Sequence, residues 1–137
     1  MIISARRLAW AQRLAAAAIC LYWILFAVDH GELPANVVDV EWAFLLPDLV
    51  WIALAFLVAS GCLLSGDRRA EVASAVAGGS MVYLGFLDIM LNVRHGQYTI
   101  SLARGLLNAA VNGSCLVFGL ANIWFALSQT RPVPGDS

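Results

Sequence analysis

Five polar side chains recur at helical spacing inside otherwise apolar sequence. Asp88 and Asn92 stand four residues apart, and Arg104, Asn108 and Asn112 follow at the same interval. Residues at i and i+4 share a helix face, so these positions form two polar stripes. A carboxylate, a guanidinium and three amides can hold an ion or a proton, bind the polar head of a small molecule, or bond to one another. In hydrocarbon a charge costs on the order of 2.5–3.5 kcal/mol, so it faces protein and takes a partner there. Asp88 precedes the C-terminal end of its helix, where the helix dipole disfavours an anion, and Arg104 opens the next helix, where it disfavours a cation. Pairing the two across an antiparallel hairpin relieves both placements. Two readings stand: a structural latch between the helices, and a site for a ligand, ion or proton.

Asp48 has a more local explanation. With Pro47 in the first turn of a helix, Asp48 sits beside free backbone N–H groups at the positive end of the dipole. The other reading makes it a sixth member of the cluster. Tyr22, Tyr83 and Phe86 are candidate walls of a pocket around these groups. Trp23, Phe26, Trp42, Phe44 and Trp51 flank the same helix ends, and interfacial belts account for aromatic residues so placed.

Other reactive side chains point to less. His30 and His95, with Asp29 or Glu32, meet at a metal only if two separate connections fold together, so no metal site is expected. Cys20, Cys62 and Cys115 form no CxxC pair and read as small apolar side chains within helices. No cofactor motif is present, and no nucleophile stands beside a base. An enzyme using Asp88 as a general base on a lipid-soluble substrate is therefore the weakest functional reading.

The elements that must position these residues are four long apolar stretches: Trp10–Val28, Ala43–Leu64, Val72–Val93 and Gly105–Leu127. Each has the ~20 residues that a helix rising ~1.5 Å per residue needs to cross ~30 Å of hydrocarbon. Of the 137 residues, 61% are hydrophobic and 12% charged, and the mean hydropathy is +0.81, outside the range of ordinary soluble domains. Barrel strands alternate over about ten residues, and these runs do not. The expected fold is all-α: a polytopic four-transmembrane-helix bundle spanning residues 1–128, followed by a disordered cytoplasmic tail at 129–137.

Orientation follows from arginine, the only basic residue type besides the two histidines. Arg6, Arg7, Arg13, Arg68, Arg69 and Arg131 fall on one side of the membrane, Arg94 and Arg104 on the other. The positive-inside rule places both termini in the cytoplasm. The first segment also resembles a secretory signal, but Leu25-Phe26-Ala27 is a poor small-residue cleavage site, so an uncleaved helix is expected. Arginine and alanine in place of lysine suggest a GC-rich bacterial genome, hence the bacterial plasma (inner) membrane as the multi-pass protein's address.

Connections are expected at Asp29 to Trp42, Ser65 to Glu71 and Arg94 to Ala103. Gly66 suits a C-cap, and Asp67 suits the N-cap of the following helix. Small residues spaced by four, Ser74 with Gly78, Ala75 with Gly79, and Gly105 with Ala109 and Gly113, let helices approach closely in lipid. They serve packing within the bundle or contact with a second copy. The half of the bundle away from Asp88 looks nearly featureless, with Asn122 its chief polar residue.

Familiar four-helix families do not fit. Leu14–Val28 lacks the embedded glutamate of small multidrug exporters, and the absence of CxxC separates the chain from vitamin K epoxide reductase-like enzymes. No basic patch of the kind nucleic acid requires is present. The expected partners are the lipid bilayer, a small-molecule ligand, and a second copy or another membrane protein. The leading function is binding or transport of a small polar or amphipathic molecule. The alternative is an accessory or assembly subunit with Asp88–Arg104 as a latch.

Overall fold

A computed structural model describes residues 4–29 and 33–129. The expected tail from 130 onward, with Arg131, lies outside the described residues, as do His30 and Glu32. In chain order the elements are α1 (Ala5–Val28), α2 (Ala35–Leu46), a π-helical turn (Pro47–Ala53), α3 (Leu54–Ser65), α4 (Ala70–Arg94) and α5 (Leu102–Gln129). The described residues are helical with no strand. Four helices are long and apolar enough to cross a membrane: Ala5–Val28, Val37–Ser65, Ala70–Arg94 and Leu102–Gln129.

Local sequence accounts for most of the helix ends. Ser4 caps α1 by accepting from the Arg7 N–H at 3.4 Å. Gly66 ends α3 with φ 68 and ψ 24, a left-handed conformation that glycine adopts at no steric cost. The Asp67 N–H then closes back on the Cys62 carbonyl at 2.9 Å, while the Asp67 carboxylate accepts from the Arg69 N–H at 2.8 Å within the turn. The N-cap of α4 is Arg69, not Asp67 as expected, because two turn residues intervene before the helix starts at Ala70. Gly96, with φ 66, ends α4 in the same way, the Gln97 N–H reaching the Asn92 carbonyl at 2.8 Å. Ser101 caps α5, accepting from the Arg104 N–H at 3.2 Å.

The second span departs from the sequence expectation at both of its punctuation marks. Its helix begins at Ala35 rather than Ala43, so Asp39, Glu41 and Trp42 lie on α2 and not in a connection. Pro34 sets the start: its φ of −58 and ψ of 143 bring the chain in extended, and its carbonyl accepts from the Val37 and Val38 N–H groups. Two acidic residues interrupt the apolar run there without interrupting the helix. Pro47, expected in a first turn, instead lies in the interior of the span. Proline has no N–H to donate and its ring crowds the carbonyl four residues back. The wider π turn from Pro47 to Ala53 relieves that clash while keeping the span continuous. Asp48 is therefore not at the start of the span, and it points sideways into the bundle.

The core is built from small side chains with a few large ones between them: Ala16, Ile52, Ala53, Phe56, Ala59, Ala77, Met81 and Leu84. Phe56 is fully buried and meets Phe118 at a ring separation of 5.3 Å. The closest helix pair is α4 with α5. A Cβ placed on Gly78 would lie 2.6 Å from the Gly119 carbonyl oxygen, and one on Gly119 would lie 2.7 Å from that of Gly78. Of the small-residue stripes, the one through Ser74 and Gly78 is thus a true contact face. Gly79 and Gly113 have open space where a Cβ would stand, and Gly119 and Gly85 serve α4–α5 packing instead. The α1–α2 and α4–α5 connections share one end of the bundle, with the α3–α4 turn at the other.

Candidate functional site

The structure places six of the nine sequence-predicted residues in two cavities, and Asp88, Asn112 and Phe86 in neither. The first, about 380 Å³, opens at the α4–α5 end. Asn92 from α4 and Arg104 and Asn108 from α5 form one side, with Gln97 from the turn between them. Tyr22 and Glu41 face them from α1 and α2, and Leu25, Phe26, Val37 and Leu107 complete an apolar lining. The Tyr22 hydroxyl donates to Glu41 Oε2 at 3.0 Å, which fixes the carboxylate at the rim. The i, i+4 interval of Arg104 and Asn108 brings both into one cavity, as helical periodicity requires.

Arg104 and Asp88 do not pair. Among the described residues the one ion pair is Arg69 with Asp67, at 4.0 Å and exposed. The reason is register. Gly78 against Gly119 and Gly85 against Leu116 set an antiparallel alignment that puts Arg104 level with the end of α4. At ~1.5 Å per residue it lies roughly 12 Å along the axis from Asp88, beyond the reach of its side chain. Asp88 is half-buried, and it lines neither cavity. Glu41, Asp48 and Asp88 stand within electrostatic reach of one another, but no three acidic, histidine or cysteine side chains among the described residues converge as metal ligands. Asn112 is occupied locally, its Nδ2 donating to the Tyr98 hydroxyl at 2.8 Å.

The second cavity, about 450 Å³, is a groove between the π turn and α4. Asp48 and Tyr83 line it together with Phe44, Pro47, Trp51, Gly79 and Ser80. Trp51 Nε1 donates to Ser80 Oγ at 3.0 Å, and the Ser80 hydroxyl donates in turn to the Val76 carbonyl at 2.9 Å. Asp48 is only 6% exposed. Its Oδ2 accepts from Trp23 Nε1 at 3.0 Å, whereas Oδ1 is buried with no donor in reach. A buried acceptor left without a partner costs about 1–3 kcal/mol. Phe86 is exposed on the bundle surface and lines neither cavity.

The aromatic residues near the ends of α1 and α2 are more than a belt. Trp23 and Phe26 are buried. With Trp42 they form a cluster at ring separations of 5.4 to 6.0 Å that clamps α1 to α2, and Phe26 of the three lines the first cavity.

The far half of the bundle, expected to be nearly featureless, holds a buried polar network. Gln12 Nε2 donates to Ser74 Oγ at 3.1 Å and to Asn122 Oδ1 at 2.7 Å. Asn122 Nδ2 donates to the Phe118 carbonyl at 2.8 Å. One residue on, Arg13 Nε reaches Ser60 Oγ at 3.4 Å. These side chains come from all four spans, so no local spacing reveals them. The available signal was an amide, Gln12, inside an apolar helix. Glu41 was missed for a different reason: assigned to a connection, it lost its place two turns before Asp48 on the same helix. No protein-family model, curated protein or solved structure matches the chain.

Proposed function

We propose that this chain is a multi-pass membrane protein that binds or transports a small amphipathic molecule through the cavity at its α4–α5 end. The observation that carries the reading is the division of that cavity's walls. Arg104, Asn92, Asn108 and Gln97 present donors and one positive charge, Glu41 and Asp29 add two carboxylates, and Leu25, Phe26, Val37 and Leu107 are apolar. Concave sites with apolar walls and a few convergent polar groups are the usual form of small-molecule sites. A molecule with a zwitterionic head and a short apolar body fits this lining, its anionic group on Arg104 and its cationic group toward Glu41 and Asp29.

Membrane residence is supported by an inverted distribution of side chains. Gln12, Ser60, Ser74, Asn112 and Asn122 are buried, while Leu14, Val28, Leu102, Val117 and Trp124 are exposed. Lipid solvates such a surface, and backbone groups within it are satisfied by the helices themselves. The arginine bias favours cytoplasmic termini, which would put the cavity on the outer face of a bacterial plasma membrane.

Native mass spectrometry of protein gently released from its own membrane tests the reading. A reproducible small adduct, lost in Arg104→Gln, is expected. An adduct retained undiminished in that variant removes Arg104 from the site.

A second reading, an assembly subunit, is favoured by Ala109 and Gly113, whose small-residue face on α5 stays open within the chain. It requires a stoichiometric protein partner after mild solubilisation, and a clean monomer counts against it.

A further inference from the structure

The groove beside the π turn is separate from the cavity at Arg104, and its chemistry differs. Asp48 is the charged residue in its lining, and the remaining walls are mostly aromatic and aliphatic. One Asp48 oxygen is engaged by Trp23 and the other, Oδ1, has no donor. We propose that this groove binds a lipophilic ammonium ion, whose N–H groups bond to the Asp48 carboxylate while its apolar body lies against Phe44, Trp51 and Tyr83.

Three observations select this class of ligand. First, the unsatisfied atom is an acceptor, so the missing group is a donor. Oδ1 is closed to the groove in this structure, so the ligand's N–H meets it as the Asp48 side chain turns into the groove, and a charge-assisted hydrogen bond from a cation is about twice as strong as a neutral one. Second, the groove lacks the oxygen-rich shell that an inorganic cation takes in place of water. Calcium takes about six to eight oxygen ligands and magnesium about six, whereas of the two hydroxyls in the lining, those of Ser80 and Tyr83, Ser80 Oγ is already bonded to Trp51 and Val76. An organic ammonium needs fewer donor–acceptor contacts and gains attraction from aromatic faces. Third, Trp51 and Tyr83 form an exposed rim on the outside of the bundle. A ligand that partitions into lipid therefore has a lateral entrance.

Gly79 supplies an independent handle. It lines the groove, yet a Cβ there meets nothing within 4 Å, so a larger side chain fills the space without disturbing α4.

The test uses the full chain in phosphatidylcholine nanodiscs, with empty nanodiscs to subtract partitioning. 4-Fluorophenethylammonium is titrated and its fluorine resonance followed, alongside the neutral 3-(4-fluorophenyl)propanol. Saturable binding of the ammonium at least tenfold tighter than the alcohol is expected. Asp48→Asn, which keeps an acceptor for Trp23, and Gly79→Leu should each weaken it at least tenfold, with Arg104→Gln unchanged. Absence of saturable binding in the wild type overturns the proposal, as does equal affinity for the alcohol. Undiminished binding in a folded Asp48→Asn or in Gly79→Leu overturns it too, and Gly79→Leu decides alone should Asp48→Asn not fold. Loss in Arg104→Gln with retention in Gly79→Leu would move the ammonium to the other cavity.

Discussion

Gln12 on α1 and Asn122 on α5 are both fully buried and joined at 2.7 Å from Nε2 to Oδ1. They are the first and last large polar residues inside the bundle, and Ser74 of α4 shares the same amide. The network closes the bundle between its first and last helices.

Truncating one partner should therefore cost more than its own bond. Asn122→Leu is expected to destabilise by about 1–2 kcal/mol, because the Gln12 amide is left buried with Ser74 alone. Gln12→Leu in the same chain should recover part of that loss, since the orphaned amide and its unpartnered Oε1 leave together. A coupling of ~0.5–1.5 kcal/mol from reversible unfolding in mixed micelles is expected. Strictly additive losses would mean that the two residues act independently.

The glycines on α4 should behave oppositely at adjacent positions. Gly78→Ala forces a methyl to within 2.6 Å of the Gly119 carbonyl and is expected to cost about 1–3 kcal/mol through overpacking. Gly79→Ala and Gly113→Ala meet open space and should change stability by no more than ~0.5 kcal/mol. The same unfolding assay ranks them, and a tolerant Gly78→Ala would refute the close α4–α5 crossing.

Trp23→Phe removes the donor to Asp48 Oδ2 while keeping most of the ring volume. The carboxylate then has neither oxygen satisfied, and a loss of about 1–3 kcal/mol is expected. Adding Asp48→Leu to that variant should restore stability, because a leucine asks for no partner. Failure of the second change to rescue the first would show that the indole matters only for its packing against Phe26 and Trp42.

Orientation can be read by labelling. In intact cells an impermeant maleimide is expected to label Ser101→Cys, in the α4–α5 turn, and to spare Asp67→Cys, in the α3–α4 turn, until the membrane is opened. The reverse pattern would invert the topology. Cys20, Cys62 and Cys115 lie within the four long helices and should give little background.

The helices were legible because runs of span length are a one-dimensional signal, and Gly66 and Gly96 mark real ends by their positive φ. The start of the second span was not. Asp39 and Glu41 lower the apolar content of a helix without affecting its backbone, so hydropathy places the boundary too late. Pro47 invites a first-turn reading because sequence does not show that Pro34 already provides one. Among site residues, the α5 stripe was legible by spacing up to Arg104 and Asn108, but its partner was not. Depth along two antiparallel helices depends on which glycines touch, and the contact of Gly78 with Gly119 is a property of the folded pair. The Gln12 network was hidden for the same reason, being drawn from distant parts of the chain.

The π turn at Pro47 gives the second span a point of genetic tolerance. A turn of this kind holds about one residue more than the α-helix it interrupts. Elsewhere in a span, losing a residue rotates everything beyond it by about 100° and turns core faces toward the outside. Between Pro47 and Ala53 a single deletion, paired with replacement of the proline, lets the backbone fall back to α-helical winding. Glu41 above and Phe56 below then keep their facings. This helix can change length at the height of Asp48 without being re-aimed, so the reach of that carboxylate can be altered separately from the rest of the bundle.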